Sequence, residues 1–218
     1  MNFHVVTLFP EVIESYSHAS ILGRAQEQGL LSVKTVQLRD FAGNKWGKVD
    51  ERPFGGGPGM VLRAEPVVDA VKSILCGISS KKTKILITAA GGKTFTNSYA
   101  RTLAKKYSEV VIVCGRYEGI DVRAKKMLKA EDISVGPYIL TGGEVPAMAI
   151  IDATARQISG VLGKSESLEE SRIASHDMYT RPEVIELDGK KYRVPKVLLS
   201  GHRANIDEWK NKKRSEAE

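Results

Sequence analysis

The sequence of 218 residues predicts an α/β fold in which a mostly parallel sheet is covered by helices on both faces. Short apolar runs alternate along the chain with segments of helical periodicity, as expected for repeated strand–helix units. The runs, such as residues 110–113, are apolar throughout, which is typical of strands buried on both sides. With 42% apolar residues, the chain can also bury a sizeable core.

The first predicted elements follow from apolar spacing and proline positions. A strand is expected at residues 3–9, and Pro10 then opens a helix because the first helical turn needs no N–H from that residue. A second strand is expected at residues 31–38. Glu65 and Pro66 begin another helix, in which the following apolar residues share one face at helical spacing: Val67, Val68, Val71, Ile74 and Leu75.

The same alternation continues through the middle of the chain. Further strands are expected at the short apolar runs of residues 84–88, 110–113 and 132–135. Further helices are expected at residues 98–106, 120–128 and 145–158. The last of these helices is long and apolar, and it closes the predicted domain.

The charge pattern predicts three parts: an α/β domain at residues 1–163, a polar linker at residues 164–175 and a small helical domain at residues 176–218. Residues 190–214 contain nine Lys and Arg but only two acids, Asp207 and Glu208. This concentration favours an anionic partner. The net charge of +7 is compatible with nucleic acid, although many soluble proteins carry such a surplus without a functional reason.

The two cysteines and the apolar profile exclude several classes of protein. Cys76 and Cys114 lack a Cys or His at metal-ligand spacing, so we expect neither zinc nor a disulfide but two buried free thiols. The N-terminus does not resemble a signal peptide, and no apolar stretch is long enough to span a bilayer. These observations predict a cytoplasmic protein.

Two glycine-containing loops form the strongest candidate for a ligand site. Residues 115–121 follow the strand predicted at 110–113, and residues 136–143 follow the next strand. Because parallel strands in an open α/β sheet bring their carboxyl ends to one edge, the two loops should converge there. A turn between strand and helix is the simpler interpretation of either loop alone.

Two other glycine-rich segments have weaker signals. Residues 89–94 lack the glycine spacing of a Walker A loop, so we interpret them as a strand-to-helix turn. Residues 52–60 contain three consecutive glycines, which predicts a segment that is mobile until a ligand orders it. Arg52 and Arg63 flank this segment and suit phosphate contacts, but an ordinary surface loop is the alternative.

Arg156 has two possible roles. It lies four residues after Asp152 in a predicted helix, which suits a surface ion pair. Its guanidinium also suits the stabilisation of negative charge in a reaction. The four histidines are scattered and suggest no nucleophilic catalysis; only His202 lies in a basic context suited to RNA contact.

Taken together, these segments resemble the bacterial tRNA (guanine-N1)-methyltransferases of the TrmD type, in the SPOUT superfamily. The similarity runs in order through residues 3–10, 52–60, 115–121, 134–158, 179–183 and 199–202. Each segment alone is weak evidence, but the ordered set covers most of the chain and is highly specific. The resemblance implies a homodimer, a C-terminal trefoil knot that binds S-adenosylmethionine, and a small domain that grips tRNA. It implies methylation at N1 of guanosine 37, with neither DNA nor a membrane as partner.

The resemblance also implies the site residues. Those expected to bind the cofactor are Ala90, Gly115, Tyr117, Glu118, Val135, Gly136, Pro137, Tyr138, Ile139, Leu140, Gly142, Gly143 and Pro146. Those expected to contact RNA are Arg52, Gly57, Arg63, Lys164, Arg181, His202 and Arg203. The family's Ser-Pro-Gln-Gly loop corresponds to Ala-Ala-Gly-Gly at residues 89–92, where only backbone contacts can be carried over.

The chemistry requires a base and a cation. Guanine N1 carries a proton that a general base must remove, and the charge that then develops on O6 needs a cation, a role that the resemblance assigns to Arg156. The family's base is an aspartate in the linker, but this chain has Glu169-Glu170-Ser171 there. Either Glu170 is the base, which is the assignment we adopt, or another part of a mobile linker carries it. A Mg²⁺ ion is compatible with the resemblance, which does not indicate its ligands.

Two alternatives remain open at this point. A catalytically silent RNA-binding protein with the same fold is compatible with the missing linker aspartate. Separately, the chain ends soon after Trp209, earlier than the family resemblance implies, so we expect part of the tRNA-gripping domain to be lacking. An enzyme that acts on a small acid with a nucleotide cofactor fits the two loops, but leaves the basic C-terminal region and Arg52 without a role.

Overall fold

In the computed structural model, residues 1–78, 82–162 and 177–215 are described. The chain divides into two compact units, Met1–Gly163 and Lys164–Glu218. The first unit contains the two predicted ligand loops.

A five-stranded sheet forms the centre of the first unit. Its strands lie in the order β2-β1-β6-β5-β7, and every neighbouring pair is parallel. The strands are β1 (Asn2–Thr7), β2 (Ser32–Gln37), β5 (Thr83–Thr94), β6 (Glu109–Val113) and β7 (Glu131–Ser134). A separate short hairpin pairs β3 (Asp50–Glu51) with β4 (Val61–Leu62). The predicted α/β fold with a parallel sheet is confirmed.

Helices cover both faces of this sheet. They are α1 (Pro10–Ser17), α2 (Ser20–Glu27), α3 (Ala64–Leu75), α4 (Asn97–Lys106), α5 (Val122–Leu128) and α6 (Glu144–Ala155), with a 3₁₀ helix at Leu38–Phe41. Helix α6 packs against α1 and α4, whereas α3 packs against α5 and the 3₁₀ helix. As predicted, Pro10 lies in the first turn of α1.

The central strand β6 shows how the sequence builds two cores. Val110 and Ile112 belong to the apolar cluster beneath α1, α4 and α6, while Val111 and Val113 belong to the cluster beneath α3 and α5. Side chains alternate between the faces of a strand, so a strand buried on both faces must be apolar at every position. This explains the unbroken apolar run in the sequence.

The predicted turn at residues 89–94 is wrong, because β5 continues through this segment to Thr94. Its pairing with β7 shifts register between Thr88 and Lys93. At Gly92, a Cβ atom would lie 2.5 Å from the backbone nitrogen of Ile133. The glycine therefore permits a close approach to β7 and does not mark the end of the strand.

The second unit contains an antiparallel hairpin that the sequence prediction missed. Strands β8 (Val184–Leu187) and β9 (Lys190–Arg193) pair around Asp188 and Gly189, both of which have positive φ. An Asp-Gly pair of this kind is the usual signal for a tight two-residue hairpin turn. Helices α7 (Lys196–Leu199) and α8 (Arg203–Ser215) follow, so the unit is not purely helical. Among the described helices, none is long and apolar enough to cross a membrane.

Candidate active site

A cavity of about 490 Å³ lies at the carboxyl ends of β5, β6 and β7. Its walls come from the end of β5, from residues 115–122 after β6 and from residues 134–143 after β7, with Pro146 of α6. The two glycine-containing loops therefore converge as predicted. A cavity of this size and position is typical of small-molecule sites in open α/β sheets.

The backbone of Gly143 fits closely against Thr88, in the middle of β5, and against Gly115, just after the end of β6. Its N–H donates to the carbonyl oxygen of Gly115 at 2.8 Å, and the N–H of Gly115 donates to the Thr88 hydroxyl at 3.0 Å. A Cβ on Gly143 would lie 2.0 Å from the Thr88 Oγ1 atom and 2.6 Å from the Gly115 nitrogen. Only glycine fits this position without displacing a strand end.

A buried carboxylate lies directly behind the loops. Glu144, the first residue of α6, is 2% exposed, and each of its two oxygens accepts one hydrogen bond. The Thr7 hydroxyl donates to Oε1 at 2.7 Å. The Arg116 guanidinium donates to Oε2 through Nε at 2.9 Å and lies 2.8 Å from it through Nη2. Arg116 also packs over the ring of Phe9, at 4.4 Å from the centroid.

The loop after β7 is stabilised by local contacts. The N–H of Gly136 donates to the Ser134 hydroxyl at 3.3 Å, and that hydroxyl donates to the carbonyl oxygen of Gly136 at 2.9 Å. The Tyr138 hydroxyl donates to the carbonyl oxygen of Val135 at 3.3 Å, and the Tyr138 ring lies against Gly136. The loop is thus ordered by its own residues, while Ile139 at its tip is 89% exposed.

Backbone hydrogen bonds bring the glycine-rich segment 52–60 to the edge of the cavity. The Glu118 N–H donates to the Met60 carbonyl at 3.0 Å, and the Leu62 N–H donates to the Gly119 carbonyl at 2.9 Å. The Glu118 side chain lies against Gly59. Within the segment, the glycines at 55, 56, 57 and 59 all have positive φ, which other residues adopt only with strain.

Charged side chains that sequence reasoning did not assign to the site also line the cavity. Asp121 is held by Arg123, whose guanidinium keeps the pKa of that carboxyl below its usual value. Lys125 pairs with Asp132. Thr88 and Arg116 were missed as well, because their roles depend on which strand ends meet. Carboxylates at the wall suit a ligand with a positive charge.

The predicted cofactor residues surround this cavity. All of them line it except Pro137. Their role as cofactor ligands stays a prediction.

Arg156 lies elsewhere, at the C-terminal end of α6, and is not among the residues that line the cavity. Within the described part of the chain, no ion pair joins Arg156 to Asp152. The Asp152 carboxylate instead accepts from the Tyr16 hydroxyl at 2.7 Å. The alternative of a simple surface pair is therefore not supported.

The predicted RNA-binding residues lie in both units. Arg52 and Gly57 are exposed, and Arg63 lies 3.7 Å from Glu65 at the start of α3. Arg181, His202 and Arg203 are exposed in the second unit. Lys164 and the predicted base Glu170 lie outside the described residues.

The two thiols differ in their surroundings. Cys114 is buried at the end of β6, and burial raises the pKa of its thiol well above the usual value, with a further contribution from the Glu144 carboxylate. Cys76 is exposed at the end of α3, so the prediction that both thiols are buried is wrong for Cys76. A protonated, buried thiol is a weak nucleophile, so Cys114 is not a catalytic candidate.

Within residues 1–78, 82–162 and 177–215, no group of three or more His, Cys, Asp or Glu side chains lies close enough together to hold a metal ion by itself. A Mg²⁺ ion usually takes only one or two protein carboxylates, with water and substrate as its other ligands. The expectation of Mg²⁺ therefore stays a prediction.

Comparison with known proteins gives one consistent result. The family model described as tRNA (Guanine-1)-methyltransferase TrmD matches residues 1–217. A tRNA (guanine-N(1)-)-methyltransferase of Desulforamulus reducens is 41% identical over 216 residues, covering 97% of this chain and 83% of its own length. Enzymes with the same name from Clostridioides difficile and Ruminiclostridium cellulolyticum are 41% and 44% identical, covering 96% of this chain and 90% and 89% of their own lengths.

We predict that Gly143→Ala damages the site, because the new methyl group must displace Thr88 or the backbone of Gly115. Overpacking of this kind costs about 1–3 kcal/mol in the free energy of unfolding. The cavity should also lose ligand affinity. Urea unfolding followed by circular dichroism measures the first effect. Gly77→Ala is the control, since its Cβ would meet only the Ile74 carbonyl at 3.9 Å; equal stability of the two variants would contradict the packing argument.

We predict that only one thiol reacts in the folded protein. Ellman's reagent at pH 8 should modify Cys76 quickly, whereas Cys114 should react only after unfolding in guanidinium chloride, since it is buried and its thiol pKa is raised. The Cys76→Ser variant isolates the second thiol. Rapid reaction of Cys114 in that folded variant would contradict the described burial.

Proposed function

Since the chain belongs to the tRNA (guanine-1)-methyltransferase TrmD family and is a tRNA (guanine-N1)-methyltransferase, we propose that its methyl donor is S-adenosylmethionine and its target is guanosine 37, beside the anticodon. One observation carries this proposal: two loops with the family's residues converge on one cavity at the strand ends. The enzyme is proposed to act in the cytoplasm, where tRNA is found.

The cavity suits the proposed donor in shape and chemistry. Backbone groups of residues 135–143 and the apolar side chains of Ile139 and Leu140 suit the adenosine part, which needs both hydrogen bonds and an apolar wall. The carboxylate of Glu118 suits the positive charges of the sulfonium and the amino group. S-adenosylmethionine would supply an electrophilic methyl group, so the protein mainly positions and polarises the reactants.

The position of Arg156 supports a homodimer. Helix α6 begins at the cavity and has twelve residues, so its far end lies about 18 Å from the start. A guanidinium at that end does not reach O6 of a guanine bound beside its own cavity. We therefore propose that Arg156 acts in the cavity of a second copy of the chain. The exposed apolar residues Tyr138, Ile139 and Val145 are consistent with cover by that copy.

Glu170 is the proposed general base. A carboxylate near N1 would accept the N1 proton as the methyl group is transferred, and Arg156 would stabilise the negative charge that develops on O6. The two groups would then face the same edge of guanine, the base at N1 and the guanidinium at O6.

The proposed tRNA contacts divide between the two units. Arg52 and Arg63 flank the glycine-rich segment at the edge of the cavity, and with Gly57 they suit phosphates near the target base. Lys164 is proposed to contribute from the linker. Arg181, His202 and Arg203 are proposed to grip the anticodon stem-loop through the smaller C-terminal domain.

The trefoil knot belongs to the same proposal. The chain leaves β7, passes the end of β5 and returns to the end of β6, where the Gly143 N–H meets the Gly115 carbonyl oxygen. A chain that crosses a neighbouring strand before it enters its helix is a necessary part of a knotted path. This crossing supports the knot predicted from the resemblance.

The function is tested by methyl transfer from labelled S-adenosylmethionine to unmodified tRNA that carries guanosine or adenosine at position 37. We predict transfer only to the guanosine tRNA and a loss of about 10²–10⁴-fold in Glu170→Gln, because a general base contributes about that much. Glu169→Gln is the matched control and should stay near wild type. Unchanged activity in Glu170→Gln would refute the assigned base. No transfer at all, with tRNA still bound, would instead support a silent RNA-binding protein.

The exchange of Arg156 between copies is tested by mixing two inactive variants. Arg156→Ala and Gly143→Ala protomers, unfolded and refolded together, should recover about a quarter of wild-type activity, since half of the dimers are mixed and each has one intact site. Activity is measured with the same tRNA. No recovery above that of the separate variants, with dimers confirmed by light scattering, would place Arg156 in its own protomer's site.

A further inference from the structure

We infer that Arg116 and Glu144 act together as positioning residues that hold the two loops in the conformation that receives the methyl donor. The inference rests on the proposed binding of S-adenosylmethionine in this cavity. Neither residue was assigned a role above, and the argument comes from their burial and from the segments that they connect.

The Glu144 carboxylate is placed where a charge is costly. Its side chain is 3% exposed, and an ionised carboxylate at such a position requires a charged partner and complete hydrogen bonding. The Arg116 Nε donates to one oxygen, with Nη2 of the same guanidinium close to it, and the Thr7 hydroxyl donates to the other oxygen. The bonding is therefore complete only when Arg116 points inward.

The Arg116 guanidinium connects segments that are distant in sequence. Arg116 belongs to the loop after β6, and its Nη1 atom donates to the carbonyl oxygen of Thr141, in the loop after β7, at 3.3 Å. Through Glu144 it is joined to the start of α6, and through Thr7 to the end of β1. One side chain thus fixes the separation of the two loops that form the cavity.

The geometry favours a positioning role over direct contact with the reacting atoms. Nε and Nη2 of Arg116 face Glu144, and Nη1 faces Thr141, so its donors are directed into the protein. Phe9 covers the plane of the guanidinium. Arg116 lines the cavity beside Gly115 and Tyr117, so its hydrogen bonds to Glu144 and Thr141 position the wall that the three residues share.

A purely structural ion pair provides the comparison. Lys84 and Glu131 join β5 to β7 with side chains 23% and 29% exposed, and neither residue lines the cavity. Their removal should lower stability without a specific effect on the donor. The pair Lys84→Met with Glu131→Gln is therefore the matched control.

The decisive variant removes both charges. Arg116→Met alone leaves a buried carboxylate unpaired and should lower both the melting temperature and the affinity for S-adenosylmethionine. Adding Glu144→Gln removes the unpaired charge and should restore much of the melting temperature, since replacing both members of a buried pair is often tolerated. The affinity should stay about 10- to 100-fold below wild type, because the link to Thr141 is still missing.

A second variant covers the case in which the double variant does not fold. Arg116→Lys keeps a positive charge beside Glu144, but an ammonium cannot donate to Glu144 and Thr141 in the same forked arrangement. It should melt close to wild type and still bind S-adenosylmethionine more weakly. In both variants KM for the donor should rise more than kcat falls.

Isothermal titration with S-adenosylmethionine and thermal unfolding are measured for wild type, each variant and the control pair. Wild type that does not bind the donor would refute the proposed cofactor itself. The inference is supported if the wild-type protein binds S-adenosylmethionine, both Arg116 variants bind it more weakly, and the Lys84/Glu131 control variant binds it with wild-type affinity. The inference would be overturned if the double variant recovered both its melting temperature and its affinity for S-adenosylmethionine. It would also be overturned if Arg116→Lys bound S-adenosylmethionine with wild-type affinity.

Discussion

The close approach of Gly143 to Thr88 of β5 and to Gly115 after β6 is the constraint on which the site depends. With no side chain, its backbone can donate to Gly115 while Thr88 occupies the space where a Cβ would lie. This contact fixes the start of α6, and so carries Glu144 into the interior beside Thr7. Arg116 then has a buried carboxylate to pair with, and the two loops on either side of it enclose a cavity. If the parallel sheet were kept but Gly143 could not lie this close to Thr88 and Gly115, the two loops would not enclose a cavity.

Much of the sheet could be predicted from the sequence because burial on both faces leaves a strong local signal. The run Val110–Val113 is apolar at every position since each face of β6 meets a helical layer. The extension of β5 could not be predicted, because Gly91 and Gly92 look like a turn until β7 is known to lie against them. The hairpin around Asp188 and Gly189 had a local signal that was overlooked.

The loops of the candidate site could be predicted from the sequence, but the side-chain contacts that hold those loops in place could not. Glycine-rich segments, together with the family resemblance, indicated the two loops around the cavity, but not strand and helix residues in its wall such as Thr88, Lys125 and Asp132. The pairing of Arg116 with Glu144 spans 28 positions, and no spacing rule relates the two. The distance between Arg156 and the cavity could not be predicted either, because the sequence does not show which end of a helix faces a site. That distance is the basis of the proposal that Arg156 acts in the cavity of a second copy of the chain.

The central claim is that the methyl donor binds between the loops after β6 and β7. Amide chemical shifts of the ¹⁵N-labelled protein, recorded as S-adenosylmethionine is added, test it most directly. The account predicts the largest changes at residues 115–119 and 135–143, with small changes at residues 177–215. Largest changes in the second unit, or on the far side of the sheet, would contradict it.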